Sequence, residues 1–282
     1  MIRTLKWLGN HRLIAILLAI ATYFSIVTFH DEITQIAIKI RNTFGRDQYN
    51  AFLGYFFLGL LVLFISYLAW RISKSKTKTS DSLLALSMVV MMLLSFRYLM
   101  TYNIEAIHFV EYAVVAIILM PVLRSYGETV FWVTILGLLD ELFQYFFLVP
   151  EFEYFDFNDN ILNLLGAGAG VIFVHLLGSE AVEIKKYKWH KSPALITASV
   201  LLVIFLVLYI SGKMTFNPNG LEDSINWFSL NRKPLPDEFW KVAYAGRSFH
   251  IMRPLEGIAV MYTMFAGLFI LDGFLLKQKS QS

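Results

Sequence analysis

Long hydrophobic runs alternate with short polar segments along most of the chain. Each run is near the ~20 residues that an α-helix needs to cross ~30 Å of hydrocarbon. Because the backbone of a helix satisfies its own hydrogen bonds in lipid, this pattern predicts an all-α polytopic membrane bundle. The eight predicted transmembrane helices lie at residues 13–29, 50–70, 83–100, 105–123, 129–149, 159–178, 194–212 and 254–276.

The distribution of Lys and Arg between the predicted loops indicates the orientation of the bundle. With the N-terminus inside, fourteen of these residues lie in cytoplasmic segments and three in the short outer loops. Loops rich in Lys and Arg stay on the cytoplasmic side, so we predict that both termini are cytoplasmic. The cytoplasmic set is Arg3, Lys6, Arg12, Arg71, Lys74, Lys76, Lys78, Arg124, Lys185, Lys186, Lys188, Lys191, Lys277 and Lys279, and the outer set is Lys39, Arg41 and Arg46.

The predicted outer loop at residues 213–253 is too apolar for a plain linker. Its aromatic side chains suit the headgroup region, so we predict short interfacial helices over the outer mouth of the bundle. The loop could be a surface connector or a substrate lid, and its sequence leaves both open. The clearest predicted helix starts at Asp237 as its N-cap, continues through Phe239, Trp240, Val242 and Tyr244, and ends at Gly246.

Composition supports the membrane assignment and excludes several classes of function. The chain is 57% hydrophobic and 16% charged, against about 45–50% and about 25% in soluble domains. Zero cysteines exclude disulfides, thiolate metal sites and cysteine nucleophiles. No signature of nucleic-acid binding, internal repeat or second domain is present, so residues 1–282 are predicted to form one membrane domain.

Polar and ionisable residues interrupt three neighbouring hydrophobic runs. Charged groups in a membrane segment are costly, and they occur mostly where they pair, line a wet cavity or do chemistry. These residues are His108, Glu111 and Tyr112 in the fourth run, Asp140, Glu141 and Gln144 in the fifth, and Asp159, Asn160 and Asn163 in the sixth.

Helical geometry predicts that the three groups meet in the outer leaflet. From the helical rise, His108 lies roughly 5 Å, Gln144 about 8 Å and Asn163 about 6 Å below the outer boundary. Within each run the polar residues are spaced i,i+3 or i,i+4, so they share one face of the helix. Gly166, Gly168 and Gly170 with their alanine neighbours form a small-residue surface that permits close helix packing.

Each polar residue also has an ordinary structural explanation. His108 and Tyr112 suit an interface, and Asn163 could hydrogen-bond between helices. Asp140 and Glu141 point about 100° apart on a helix, so both can hardly face lipid safely. One of them then needs a cation, a proton or Arg97, although a purely structural polar cluster stays open.

The three polar groups form motifs that resemble the core of a known family. The motifs are His108-x-x-Glu111-Tyr112, Asp140-Glu141-x-x-Gln144-x-Phe146 and Asp159-x-x-x-Asn163-x-x-Gly166-x-x-x-Gly170. Together they resemble the VanZ-like family, bacterial integral membrane proteins named after a teicoplanin-resistance accessory protein. The resemblance covers roughly residues 83–178 and leaves the helices in 1–82 and 194–282 outside. It implies a role in the cell envelope, of the glycopeptide antibiotic-resistance type, in the bacterial cytoplasmic (inner) membrane.

Two features depart from the family pattern. Glu105 and Ala106 stand where many members carry a basic residue before the histidine, and no basic residue lies between 145 and 158 where members usually have an arginine. We expect Arg97, or Arg247 and Arg253 from the outer loop, to contact an anionic substrate group instead, and Asn160 is a further candidate for substrate binding.

Three classes of function fit these residues. The favoured one is an enzyme acting at the outer leaflet on a lipid-linked or cell-envelope substrate, with His108 as general acid/base. Asp140, Glu141 and Asp159 are candidates to hold a divalent cation, with magnesium, calcium and zinc all open. The alternatives are a non-catalytic lipid-binding, antibiotic-binding or scaffold protein, and a transporter, which would place such groups nearer the midplane. The candidate catalytic set is His108, Glu111, Tyr112, Asp140, Glu141, Gln144, Asp159 and Asn163.

Overall fold

The protein is a helical membrane bundle, which confirms the all-α polytopic prediction. The computed structural model describes residues 1–74, 78–148, 154–178, 181–185, 191–216, 228–230, 238–242 and 247–279. Seven described segments are long and apolar enough to cross a bilayer, and Pro254–Ile270 is a shorter apolar helix. The helices are α1 (Ile2–Asn10), α2 (Arg12–Phe44), α3 (Arg46–Ser73), α4 (Lys78–Tyr98), a 3₁₀ turn (Asn103–Ala106), α5 (Ile107–Leu123), α6 (Tyr126–Phe143), a π-helical turn (Gln144–Leu148), α7 (Phe157–Leu176), α8 (Pro193–Ile210) and α9 (Pro254–Lys279).

Several helix starts follow from local capping chemistry. The Ser125 hydroxyl accepts a hydrogen bond from the Glu128 N–H and begins α6. Asp156 accepts from the N–H groups of Asn158 and Asp159 and begins α7. These side chains satisfy backbone donors that the first helical turn leaves unpaired. The polar residues at the start of α7 are therefore held in fixed positions.

The N-terminal third differs from the prediction at its loops. The segment after residue 29 is helical, since α2 continues to Phe44. The chain then reverses at Gly45, whose φ of 88° is a conformation that glycine adopts without strain. The predicted outer loop is therefore reduced to this turn, and Lys39 and Arg41 lie on a helix.

Helix α7 forms the centre of the bundle. Nearly all its residues are buried, and it packs most extensively against α5 and α6. A Cβ added at Gly166 would lie 2.8 Å from the His108 carbonyl oxygen, and one at Gly170 would overlap the backbone of Ala113. The small-residue surface predicted from the sequence thus lets α7 approach the backbone of α5 directly.

The segment at residues 213–253, predicted to be an outer loop, contains short strands where interfacial helices were predicted. Its described residues form β1 (Met214–Thr215) beside β2 (Phe228–Ser229), and β3 (Lys241–Val242) antiparallel to β4 (Ser248–Phe249). The helix prediction is wrong at 239–242 because tertiary contacts favour an extended chain there. The Phe239 ring stacks on His250, with ring centroids 4.0 Å apart, and the Phe239 carbonyl lies 2.8 Å from His250 Nδ1. Asp237, Tyr244 and Gly246 lie outside the described residues.

Asn158 ties the 213–253 segment to the bundle. Its buried side-chain amide donates to the carbonyls of Leu99 and His250, each at 2.8 Å. Its Oδ1 accepts from the Met252 N–H at 2.9 Å. One side chain therefore joins α7, the end of α4 and the chain that leads into α9.

Replacing Gly166 with Ala should lower the thermal stability of the purified protein in detergent. The new Cβ would press on the backbone of α5, and overpacking of this kind costs about 1–3 kcal/mol. Thermal unfolding of the two proteins in the same micelles measures the difference. Gly59→Ala is the matched control, because a Cβ there meets nothing within 4 Å. Equal melting temperatures for Gly166→Ala and the native protein would show that α5 and α7 do not pack this closely.

Replacing Asn158 with Ala should loosen the 213–253 segment. The substitution removes all three hydrogen bonds to Leu99, His250 and Met252. We expect faster hydrogen–deuterium exchange at residues 247–252, measured by mass spectrometry, while exchange in α5 stays slow. Asn42→Ala, at an exposed position of α2, is the control. Unchanged exchange at 247–252 would contradict the assigned role.

Candidate functional site

The polar residues predicted from three separate helices meet in one buried cluster. His108 comes from α5, Glu141 from α6 and Asp159 from α7, and one ligand atom of each lies within 4.8 Å of the others. His108 Nε2 is 3.6 Å from Asp159 Oδ2. The His108 and Glu141 residues are each 3% exposed, whereas the Asp159 side chain is 20% exposed. Asp159 therefore lies on the side of the cluster that is open.

Tyr112 and Asp140 form a second pair beside this cluster. The Tyr112 hydroxyl donates to Asp140 Oδ2 at 3.1 Å, and neither residue is exposed. The Tyr112 ring also stacks near His108, with centroids 6.3 Å apart. Glu111 is half-buried and lies within electrostatic range of both His108 and Asp140.

Three side-chain amides complete the site. Asn160 and Asn163 are fully buried on α7, and Gln144 is 4% exposed. Gln144 begins the π-helical turn that follows α6. Such turns often occur at functional sites because they change the direction of side chains within a helix. Asn160 Nδ2 donates to the Asp156 carbonyl at 2.7 Å, which orients its amide.

Unsatisfied polar atoms are concentrated in this cluster. Leaving a buried donor or acceptor unpaired costs about 1–3 kcal/mol, so proteins rarely keep several together without a use for them. Apart from the Tyr67 hydroxyl, every such side-chain atom found among the described residues belongs to the predicted site. These atoms are His108 Nδ1, Asp140 Oδ1, Glu141 Oε1, Gln144 Nε2, Asn160 Oδ1, Asn163 Nδ2 and Asn163 Oδ1.

Negative charge dominates the site. Glu141 lies within electrostatic range of Asp140, Asp156, Asp159 and Glu111. In the described part of the chain, no ion pair joins a Lys or Arg to any of these carboxylates. Adjacent carboxylates repel one another, and a bound cation or protons would relieve this repulsion.

Asp156, which precedes the α7 span, shows how this negative charge affects proton binding. Its half-buried carboxylate caps α7 and lies close to Asp159. Burial, together with the negative charge of Asp159, raises the pKa of Asp156 to about 7. Asp156 therefore loses its proton near neutral pH, and the site becomes more negative above that point.

The residues present fit a divalent cation. Two ligands of one ion, each about 2.0–2.5 Å from it, lie at most about 4–5 Å apart, and the three ligand atoms meet this limit because all lie within 4.8 Å of one another. His108, Glu141 and Asp159 would hold the ion. Of the cation ligands predicted from the sequence, Glu141 and Asp159 belong to this group, whereas Asp140 is paired with Tyr112.

A family comparison matches the region that builds this site. The family model described as VanZ/LLP1 matches residues 51–178. Residues 51–178 are thus VanZ-like, and the chain that contains them is a membrane protein. The matched region begins before the resemblance noted at 83–178 and includes most of α3. No curated protein matches the chain, and no solved structure matches it either.

The arginines predicted to serve this VanZ-like site lie elsewhere. Arg97 does not pair with Asp140 or Glu141, because its guanidinium donates to the Ser248 carbonyl at 3.0 Å. Arg247 donates to the Met100 carbonyl at 2.7 Å and to Asn103 Oδ1 at 3.2 Å. The Arg253 side chain is exposed. Their contact with an anionic substrate group, in place of the arginine missing between 145 and 158, stays a prediction.

Two contributors to the site were missed by sequence reasoning. Glu105 accepts hydrogen bonds from the N–H groups of Thr101 and Tyr102 and adds negative charge near Asp159. Its position in place of a basic residue was noticed in the sequence, but its hydrogen bonds were not predictable. The second is the π-helical turn at Gln144, for which the sequence offers no signal.

The purified protein should bind a divalent cation at this cluster. Isothermal titration with Mn²⁺ or Zn²⁺ should give saturable binding, and Glu141→Gln should weaken it by more than about tenfold because a charged ligand is lost. The affinity should also rise as the pH passes upward through about 7, where Asp156 loses its proton. Glu32→Gln, an exposed carboxylate on α2, is the control. Equal affinity for Glu141→Gln and native protein, or no binding to either, would contradict the assignment.

Proposed function

We propose that this VanZ-like protein is an enzyme that acts on a lipid-linked or cell-envelope substrate at the extracytoplasmic side of a bacterial cytoplasmic membrane. The observation that carries the proposal is the meeting of His108, Glu141 and Asp159 within 4.8 Å, among buried polar atoms that lack protein partners. The orientation is supported by the excess of Lys and Arg in the predicted cytoplasmic segments.

Each residue has a role that suits its surroundings. A bound divalent cation would polarise a phosphoryl or carbonyl oxygen of the substrate. His108 would bind the ion through Nε2, which lies beside Asp159, and its Nδ1–H, which has no protein partner, would donate a hydrogen bond to the substrate. The amides of Gln144 and Asn163 would orient the polar part of the substrate. The Tyr112 hydroxyl donates to one carboxylate oxygen of Asp140, and the other oxygen has no protein partner.

Access to the site is expected from the side of Asp159. This residue has the most exposed carboxylate of the cation-binding group. The 213–253 segment lies close to Asp159, because Asn158, the preceding residue of α7, hydrogen-bonds to His250 and Met252. A substrate whose headgroup stays at the outer interface could then reach His108 without crossing the bilayer.

Transport is a poorer explanation. The opposite end of the bundle is closed by hydrogen bonds, because His175 lies 3.1 Å from Asp81 Oδ1 and 2.6 Å from the Tyr126 hydroxyl. The central part of α7 between the two ends is buried and apolar. A transporter would instead place its ionisable groups near the midplane.

A non-catalytic binding protein is the second candidate. The observation in its favour is the 3% exposure of both His108 and Glu141, which a reacting substrate must overcome. Such a protein would use the cluster to hold a headgroup or an antibiotic without turnover.

Substitution in the native host separates the two candidates. Deletion of the gene should change the envelope lipids or glycans, measured by mass spectrometry, and the native gene should restore them. His108→Ala and Glu141→Gln should fail to restore them while the proteins accumulate in the membrane, because each variant loses one ligand of the bound ion. His11→Ala and Glu32→Gln, both exposed, are matched controls.

The opposite result would decide against catalysis. Restoration of the envelope by both His108→Ala and Glu141→Gln means that no reaction depends on these groups. The enzymatic proposal would then be abandoned in favour of the binding protein.

A further inference from the structure

An apolar groove lies on a different side of α5 from the polar cluster. Its volume is about 540 Å³, and α3, α4 and α5 form its walls, with α7 at its base. This volume lies within the range of about 300–1,000 Å³ that is usual for small-molecule sites. Successive residues of a helix point about 100° apart, so Val110 of the groove points about 200° away from His108. We call this space the lateral groove.

The lateral groove opens sideways, toward the hydrocarbon of the membrane. Several large apolar side chains on its walls are exposed, among them Tyr55, Leu58 and Val114. From Asn103 to Ile117 its lining extends about 20 Å along the helix axis. That is longer than the ~15 Å of hydrocarbon in one leaflet. An extended acyl chain could therefore enter from the bilayer and lie along the groove.

Small residues create the space for this groove. Ala51 and Gly54 of α3 line it together with Ala106 of the 3₁₀ turn and Ala113 of α5. Larger side chains at these positions would occupy part of its volume. Lipid tails are as apolar as the lining, so a lipid chain would fill the space with matching dispersion contacts.

Three arginines surround the end of the groove at Asn103. Arg247 donates to Asn103 Oδ1, and its guanidinium lies 5.6 Å from the centre of the Phe96 ring, another lining residue. Arg46 donates to the Tyr102 hydroxyl, and Arg97 lies within electrostatic range of Arg247. We call Arg46, Arg97 and Arg247 the arginine rim.

The arginine rim makes this end of the groove electropositive. Burial lowers the pKa of the Arg247 guanidinium, the negative charge of Glu105 opposes this effect, and the positive charge of Arg97 adds to it. The Glu105 carboxylate, which accepts from two backbone N–H groups, offsets one of the three positive charges and leaves the other two. Guanidinium groups bind phosphate oxygens with paired hydrogen bonds, so the rim complements an anionic headgroup.

We infer that the lateral groove binds one acyl chain of an anionic membrane lipid, whose headgroup lies at the arginine rim. The site is separate from the polar cluster and does not depend on the proposed reaction there. Its occupant would join α3, α4 and α5 and place a lipid beside the VanZ-like core.

Photocrosslinking tests the chain-binding part. The full-length protein is reconstituted in vesicles of phosphatidylcholine and phosphatidylglycerol that contain phosphatidylglycerol with a diazirine on one acyl chain. After irradiation, peptides are mapped by mass spectrometry. We expect crosslinks to be concentrated on the lining residues of α3 and α5. Val110→Trp or Val114→Trp should reduce this labelling by about tenfold, because the indole ring fills the space.

A lipid-facing position away from the groove provides the control. Val203→Trp on α8 is exposed and contributes nothing to the lining, so it should leave the labelling unchanged. Equal labelling of α8 and the groove, or full labelling in both groove variants, would overturn the proposal. Two groove positions are tested so that one poorly folded variant leaves the test intact.

Headgroup selectivity tests the arginine rim. The phosphatidylglycerol probe should label the groove more than a phosphatidylcholine probe with the same diazirine chain. The double variant Arg46→Gln/Arg97→Gln should remove this preference, whereas Lys39→Gln, exposed on α2, should keep it. Equal labelling by both probes in the native protein would overturn the anionic part. Because labelling is read without turnover, neither failure changes the proposed function.

Discussion

The close approach of α7 to the backbone of α5 is the constraint on which the site depends. Gly166 allows it, since any larger residue would meet the carbonyl of His108, the residue that contributes the imidazole. Without a hydrophobic driving force inside lipid, helices associate through such close packing and through polar contacts. The same contact therefore holds the bundle together and sets the distance between His108 and Asp159. Gly137 plays a similar part on α6, where a Cβ would lie 2.7 Å from the Asn163 amide.

Close packing also explains how so many polar atoms remain buried together. Helices that are packed backbone to backbone cannot rotate to bring single polar side chains to other hydrogen-bond partners. The packing of the rest of the bundle therefore offsets the free-energy cost of the unsatisfied atoms. A site whose polar groups are already held in place can bind a charged ligand tightly, because these groups need little reorganisation on binding. The polar cluster and the lateral groove then occupy two faces of α5, one suited to charge and the other to hydrocarbon.

The sequence predicted the helices and the meeting of the polar groups because both follow from helical geometry. Spacing alone places His108 and Tyr112 on one face, and the glycine pattern of α7 indicates where helices approach. Contacts between distant parts of the chain were harder to predict from the sequence. Nothing in the local pattern shows that Arg97 turns toward Ser248, or that Phe239 stacks on His250 in an extended chain. The π-helical turn at Gln144 was equally hidden, since it depends on the packing around the end of α6.

The most direct test of the account is a crystal structure of the protein grown with Mn²⁺, with data collected at the manganese absorption edge. The account predicts an anomalous peak about 2.0–2.5 Å from one nitrogen of His108 and one oxygen each of Glu141 and Asp159. A peak bound only by other residues, or these three side chains turned toward separate partners, would contradict it.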